Sequence, residues 1–234
     1  MNRAKFGRII NYFNWYEYLF LLLFSLAGIA IGIITEELWL GLIALVAGIM
    51  CEMLLAKRNR ANFFFSIIND VFCGIIAIRQ MFVFDIIMNF AFWVPNDTVS
   101  IFLWKKNKEK ESEMHSNVRK LKWWHFLILY VSLFALAYPI SLLLELMGGN
   151  EAYLDALGSL FEITTGLLIM LRFKNHYIIW LTAVLIDSVL YGMVGEWLIV
   201  LMNLGYVLIV LYGYLNWERN IKKQKMETLS EKQF

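Results

Sequence analysis

Carboxylates and amides recur inside stretches of this chain that otherwise carry almost no charge. Asn69 and Asp70 are adjacent in the middle of one such stretch, with Ser66 a turn away on the same helical face. The next stretch carries Asp85, Asn89, Asn96 and Ser100 at spacings of four, seven and four, one stripe of a helix. Trp93 joins that stripe and Asp97 lies beside it, while Pro95 frees the carbonyl one turn back, which suits a helix that kinks or opens around a ligand. Tyr177, Trp180, Asp187 and Tyr191 share one broad face further along, and Asn203, Tyr206, Tyr214 and Trp217 share another. Glu52 and Glu162 are acids within two further stretches. Aromatic faces and amides on one stripe suit a flat heteroaromatic ring with hydroxyl or amide substituents. Side-chain rings stack on its face, and Asn or Asp hydrogen-bond its edges. An amino-acid-like ligand would call for Arg or Lys in the core of these stretches, and there is none.

Positioning such residues is the work of membrane-spanning helices. Of the 234 residues, 60% are apolar, 16% aromatic and 17% charged, with two prolines, far from the composition of a soluble domain. A helix needs about twenty apolar residues to cross a hydrocarbon core of about 30 Å. Eight stretches qualify: 17–35, 38–56, 62–79, 82–104, 123–144, 154–171, 177–194 and 197–217. A charged side chain at mid-bilayer costs about 2.5–3.5 kcal/mol on insertion scales, so the acids within these spans are functional candidates by default. Asp187, mid-span with no basic neighbour in its own helix, is the hardest to assign to structure alone. Interhelical hydrogen bonding is the competing role for the Asn and Ser residues. Glu52, near the end of its span, has the alternatives of snorkelling or pairing with Lys57. Trp15, Trp104, Trp123, Trp124 and Trp217 lie at span ends, where aromatic anchoring to the interface is expected.

Of the 21 Lys and Arg residues, 20 fall in alternate breaks, and only Arg79 lies on the other side. Arg3, Lys5 and Arg8 precede span one, Lys57, Arg58 and Arg60 follow span two, and seven fill the linker 105–122. Arg172 and Lys174 follow span six, and five more follow span eight. The opposite breaks carry Glu36, Glu37, Glu151, Asp155 and Glu196. By the positive-inside rule both termini and the linker are cytoplasmic, in a multi-pass protein of the cell membrane. The net charge of +2 is too small to imply a nucleic-acid partner. Cys51 and Cys73 lie in apolar spans and His115, His125 and His176 outside any cluster, so neither a metal nor another cofactor is expected. No P-loop and no Gly-flanked serine elbow occurs, which argues against ATP hydrolysis and against an intramembrane hydrolase.

The chain also repeats itself. Met88-Asn89-Phe90-Ala91-Phe92 matches Met202-Asn203-Leu204-Gly205-Tyr206 at an offset of 114, and Arg58 matches Arg172 at the same offset. Trp104-Lys105-Lys106-Asn107 matches Trp217-Glu218-Arg219-Asn220 at 113, one gap later. Trp15-Tyr16-Glu17 echoes Trp123-Trp124-His125. Each half reads as four helices entering the membrane in the same direction, a transporter plan that places the substrate at the repeat interface.

Asn89-Phe90-Ala91-Phe92-Trp93-Val94-Pro95 followed by Trp104-Lys105-Lys106-Asn107 resembles the stretch ending the first half of PnuC-type vitamin transporters. The run from Arg172 through Tyr177 to Trp180, and Tyr212-Gly213-Tyr214-Leu215-Asn216-Trp217, resemble their second-half motifs. The resemblance covers about residues 38–220. It implies nicotinamide riboside as substrate, with thiamine, riboflavin and deoxynucleosides as alternatives. It further implies facilitated diffusion with trapping by cytoplasmic phosphorylation, a homotrimer, and a SWEET-like pair of three-helix bundles. The family's W-x-x-W-x-x-x-[ND] motif is incomplete: it reads Tyr177-x-x-Trp180-x-x-x-Val184 or Trp180-x-x-Ala183-x-x-x-Asp187, and Asp97 stands where a glutamine is usual.

The expectation is therefore an all-α membrane transporter, not an enzyme, with alternating access about a midplane site in the lipid bilayer. Residues 1–37 form an N-terminal segment and first helix, 38–104 a first bundle, 105–122 the linker, 123–150 a linking helix, 151–218 a second bundle and 219–234 a tail. The expected binding residues are Asn69, Asp70, Asn89, Phe92, Trp93, Asp97, Tyr177, Trp180, Asp187, Asn203 and Tyr206. Asn89 and Asn203 would bind amide or ribose edges, Tyr177 and Trp180 would stack on the ring, and Asp97 and Asp187 would accept hydroxyl hydrogen bonds. The rivals are a non-transporting membrane subunit and a lipid-modifying membrane enzyme.

Overall fold

A computed structural model describes residues 13–35, 38–106, 108–109, 112–116 and 119–231. Arg3, Lys5, Arg8, Glu36 and Glu37, which enter the orientation argument, lie outside the described residues, as does Asn107 of the repeat. Among the described residues eight helices are long and apolar enough to cross a membrane. They are α1 (Trp15–Thr35), α2 (Leu38–Ala56), α3 (Asn62–Gln80), α4 (Val83–Lys106), α5 (Trp123–Leu146), α6 (Ala152–Met170), α7 (His176–Met193) and α8 (Trp197–Glu231). Each satisfies its own backbone, the condition for crossing lipid. The α8 helix continues beyond the membrane span because the sequence after Trp217 is free of Gly and Pro. The linker contains a short antiparallel pair, β1 (Lys108–Glu109) with β2 (Ser112–Ser116).

The repeat is visible in the backbone. Arg58 and Arg172, ending α2 and α6, both adopt the left-handed conformation at φ 59° and 64°. The next residues close the same cap, Asn59 N to Leu54 O at 2.9 Å and Phe173 N to Leu168 O at 2.8 Å. The caps of α3 and α7 match likewise, with Met81 and Gly195 left-handed, Phe82 N to Ala77 O at 3.1 Å and Glu196 N to Tyr191 O at 3.0 Å. All of these pairs keep the offset of 114 seen in the sequence. The one-residue gap that follows also has a structural cause. Residues Met88–Trp93 of α4 form a π-helical turn, closed by Val94 N donating to Asn89 O, whereas α8 is α-helical throughout. A π-turn holds one extra residue, which shortens the offset to 113 beyond it. Pro95, which cannot donate to Ala91, sits just after the turn.

The halves interlock reciprocally. α4 packs on α3 and on α6, and α8 packs on α7 and on α2, so each half's last helix leans on the other half's second helix. Trp104 Nε1 donates to Ile169 O and Trp217 Nε1 to Leu55 O, both at 3.1 Å. Leu55 and Ile169 are themselves repeat equivalents. These two tryptophans are fully buried beside Phe63, His176 and Tyr177, not anchored at the interface as expected. Each indole finds an acceptor in a helix end whose last carbonyls lack intrahelical donors. Trp15 and Trp123, by contrast, are exposed as anchors would be. α1 packs on α2 and α8, and α5 on α6.

Polar contacts join the loops in two groups. At the basic end, Lys57 pairs with buried Glu17 at 2.6 Å, Lys174 pairs with Glu218, and Arg119 N donates to Arg172 O at 2.8 Å. Burial, and the nearby Arg119, lower the pKa of Arg172 from its ordinary value. At the other end Gln80 donates to Glu196 at 2.6 Å and Asn150 N to Met81 O at 3.3 Å.

Candidate functional site

The interlocked helices surround a partly open cavity lined by polar and aromatic side chains. Its wall takes side chains from α2, α3, α4, α6, α7 and α8, and therefore from both halves. Nine of the eleven expected residues line it: Asn69, Asp70, Asn89, Trp93, Asp97, Trp180, Asp187, Asn203 and Tyr206.

Phe92 and Tyr177 do not. Phe92 turns away, packing edge-on against Trp93 at 5.4 Å and over Gly166. Tyr177 is fully buried among His176, Trp217 and the bare backbone of Gly213, so it cannot stack on a ligand in this conformation. Three other aromatics form a contiguous part of the wall. Trp93 lies 6.2 Å from Trp180, and Trp180 lies 5.7 Å from Tyr206. Asp97, not Asn96, lines the cavity. The π-turn explains this, because one extra residue in the turn advances the inward face from the purely α-helical stripe through Asp85 and Asn89.

Several polar groups are already engaged. Asn69 Nδ2 donates to Ala44 O at 2.9 Å, which ties α3 to α2. Asn89 Nδ2 donates to Asp85 at 2.7 Å, and Tyr191 donates to the same carboxyl. Trp93 Nε1 donates to Glu162 Oε2 at 3.1 Å. Others face the cavity with hydrogen-bonding capacity unused: Asn203 Nδ2, Trp180 Nε1, and one oxygen each of Glu52, Asp70 and Asp97. Buried polar groups are normally paired, so unpaired ones converging on a cavity mark where ligand atoms belong.

Glu52, Asp85, Glu162 and Tyr191 also line the wall but were not among the expected residues. Glu52 is turned inward and does not pair with Lys57, whose ammonium is held by Glu17. Glu162 carried the same signal as Asp187, an acid in mid-span without a basic neighbour in its helix. In all, six carboxyls line the cavity and no Lys, Arg or His does. No group of three His, Cys, Asp or Glu side chains among the described residues is arranged to hold a metal ion.

The model of the nicotinamide mononucleotide transporter family matches residues 38–219. The chain belongs to that family. It is a multi-pass membrane transporter, not an enzyme. It is 26% identical over 211 residues to the nicotinamide riboside transporter PnuC of Haemophilus influenzae, covering 89% of this chain and 92% of that one. It is 22% identical over 242 residues to the protein of the same name from Neisseria mucosa, covering 94% and 91%. The crystal structure of the vitamin B3 transporter PnuC shares the fold, with a TM-score of 0.79 at 20% identity, over 95% of this chain and 99% of that one.

Proposed function

We propose that this chain carries nicotinamide riboside into the cell. The family's description names the mononucleotide, whereas the curated relatives are named for the riboside. The observation that favours the riboside is the cavity wall, with six carboxyls, three contiguous aromatics and no cationic side chain. N-ribosylated nicotinamide is a pyridinium, a flat cation suited to an acidic, aromatic site. Its mononucleotide adds a phosphate of about −1.5 to −2 charge, which the acids repel and no Lys or Arg of the wall balances. The ring stacks on Trp180 and Trp93, Asn203 donates to the carboxamide or ribose, and Asp70, Asp97 and Glu52 accept from the hydroxyls. Thiamine shares the positive charge and is the second ligand to test, whereas deoxynucleosides and riboflavin lack it.

Transport is passive, by rocking of the two halves, with cytoplasmic phosphorylation retaining the product. The absence of a P-loop and the family resemblance support this. The lopsided distribution of basic residues supports cytoplasmic termini in the cell membrane, and the family resemblance supports a homotrimer. Tryptophan fluorescence titration of the purified protein tests the ligand: saturable riboside binding with mononucleotide at least tenfold weaker is expected, and the reverse order would sink the assignment. In liposomes holding only this protein, labelled riboside should equilibrate without ATP. Reporter fusions at the C-terminus and in the 148–151 loop should report opposite sides; agreement between them would contradict the topology. Crosslinking in membranes should give a limiting species of three chains.

A further inference from the structure

At the basic end of the bundle the cavity is floored by residues of both halves. Leu55 and Ile169 line it, and their carbonyls accept from the indoles of Trp217 and Trp104, each at 3.1 Å. Both bonds cross between the halves, α8 to α2 and α4 to α6. The two indoles also meet one another, with ring centroids 6.0 Å apart. Phe63 packs edge-on against Trp104 at 5.1 Å, and His176 and Tyr177 pack against Trp217 at 4.8 and 5.7 Å. None of the five rings is more than 2% exposed, so this layer is closed. It is also incompletely satisfied. Asn62 Oδ1, Ser100 Oγ, Thr165 Oγ1, His176 Nε2 and the Tyr177 hydroxyl are buried in and beside it without a partner among the described residues. A buried polar group without a partner keeps its full desolvation penalty, which contact with water relieves. Two indole bonds therefore close a layer that its own unpaired groups bias towards opening.

We propose that Trp104 and Trp217 together are the gate of the basic end, whose two indole–carbonyl bonds break when the halves rock open on that side and re-form when they close. The opposite end is held by different chemistry. Gln80 Nε2 donates to Glu196 at 2.6 Å, and Asp155 of α6 accepts from the amides of Phe84 and Asp85 at the start of α4, both at 3.0 Å. These contacts also join the two halves. They are one-sided, however, since Gly41 stands at the position equivalent to Asp155 and Val194 at that equivalent to Gln80. The bonds of one end share no residue with those of the other, so each end can open while the other stays shut, as alternating access requires. The gate rests on the reading that the halves rock about the cavity, and it is independent of which ligand is carried.

Cys51 and Cys73, the chain's two cysteines, both line the cavity and report access to it without added residues. A membrane-impermeant cationic thiol reagent, trimethylammonium methanethiosulfonate, is applied to the full-length protein from either side of oriented membrane vesicles, and labelling is followed by mass. Slow labelling of the wild type from both sides is expected. Trp104→Phe and Trp217→Phe each keep a ring and lose the indole N–H. Each should label about two- to tenfold faster from the side of the basic end, the shift in open population that loss of one net hydrogen bond gives. Labelling from the other side should not accelerate. Gln80→Ala, at the opposite end, should show the reverse pattern. Thr165→Val removes an unpaired buried hydroxyl at similar shape and should slow labelling from the basic end. Wild-type rates from the basic end in both tryptophan variants, or acceleration from both sides alike, would overturn the gate and leave the rocking of the halves standing. Wild-type protein that labels from neither side, yet fully once denatured, would overturn the rocking itself and the gate with it.

Discussion

The two halves agree at their ends and disagree in the middle. At the ends, Arg58 and Arg172, Met81 and Gly195, Leu55 and Ile169, and Trp104 and Trp217 occupy matching positions and make matching bonds. At mid-membrane Met88 with Met202 and Asn89 with Asn203 still match, but the acids do not. Asp187 stands opposite Cys73, Asp70 opposite Val184, and Glu162 opposite Gly48. The Gly48 position shows how the asymmetry is built. Where the second half presents a carboxyl, the first has no side chain, and the space is taken by the Tyr206 hydroxyl from α8. Even the matched asparagines differ, since Asn89 is engaged by Asp85 and Asn203 keeps a free donor. A symmetric frame lets two bundles rock about one axis, whereas a ligand without two-fold symmetry needs different groups on its two sides. Symmetry is kept at the helix ends and lost at the cavity wall.

Four expected outcomes would break or sharpen this contrast. The largest concerns the frame. Trp104→Ala and Trp217→Ala each remove a fully buried indole and its bond to a helix end, at about 3–5 kcal/mol. Their melting temperatures should fall by similar amounts, and a large inequality would mean that the clasp is not symmetric. Next, Asp187→Ala should weaken riboside binding by about 1.5–3 kcal/mol, tenfold or more, while Cys73→Ala at the equivalent position changes affinity little. Equal effects in calorimetry would place the site on the symmetry axis. Third, Trp180→Ala should lose stacking worth about 1 kcal/mol beyond area burial. Tyr177→Phe, which removes a hydroxyl without a hydrogen-bond partner, should leave affinity unchanged. Loss of affinity in Tyr177→Phe would return that residue to the site. The smallest effect separates the asparagines. Asn203→Leu should cost about 1 kcal/mol of binding and spare the melting temperature, whereas Asn89→Leu should lower the melting temperature by stranding Asp85.

Much of the frame was legible in the sequence because its signals are local. Span lengths, alternating basic breaks and the offset of 114 each follow from residues near one another or from direct self-comparison. The gap after Asn89 was legible as a gap, but not as a π-turn, because primary structure records an extra residue without saying how a helix absorbs it. The site was legible in part. Mid-span acids and amides announced themselves by their cost in lipid, and nine of the eleven expected positions face the cavity. Tyr177 misled because its spacing from Trp180 puts both on one broad helix face, while only packing against Trp217 and Gly213 shows that its own part of that face is filled. Glu52 misled for a related reason. Lys57 was its neighbour in sequence, but Glu17 reaches Lys57 from a different helix.

What the sequence determined by itself was the set of helices, their number and their alternation, because a chain in lipid must satisfy its backbone hydrogen bonds within each span and hold its basic residues on one side. What only the tertiary structure decided was which polar groups meet. The six-carboxyl wall gathers acids from five helices, and the reciprocal tryptophans join residues 65 and 162 positions apart; such contacts depend on how helices cross and rotate, which no single helix encodes.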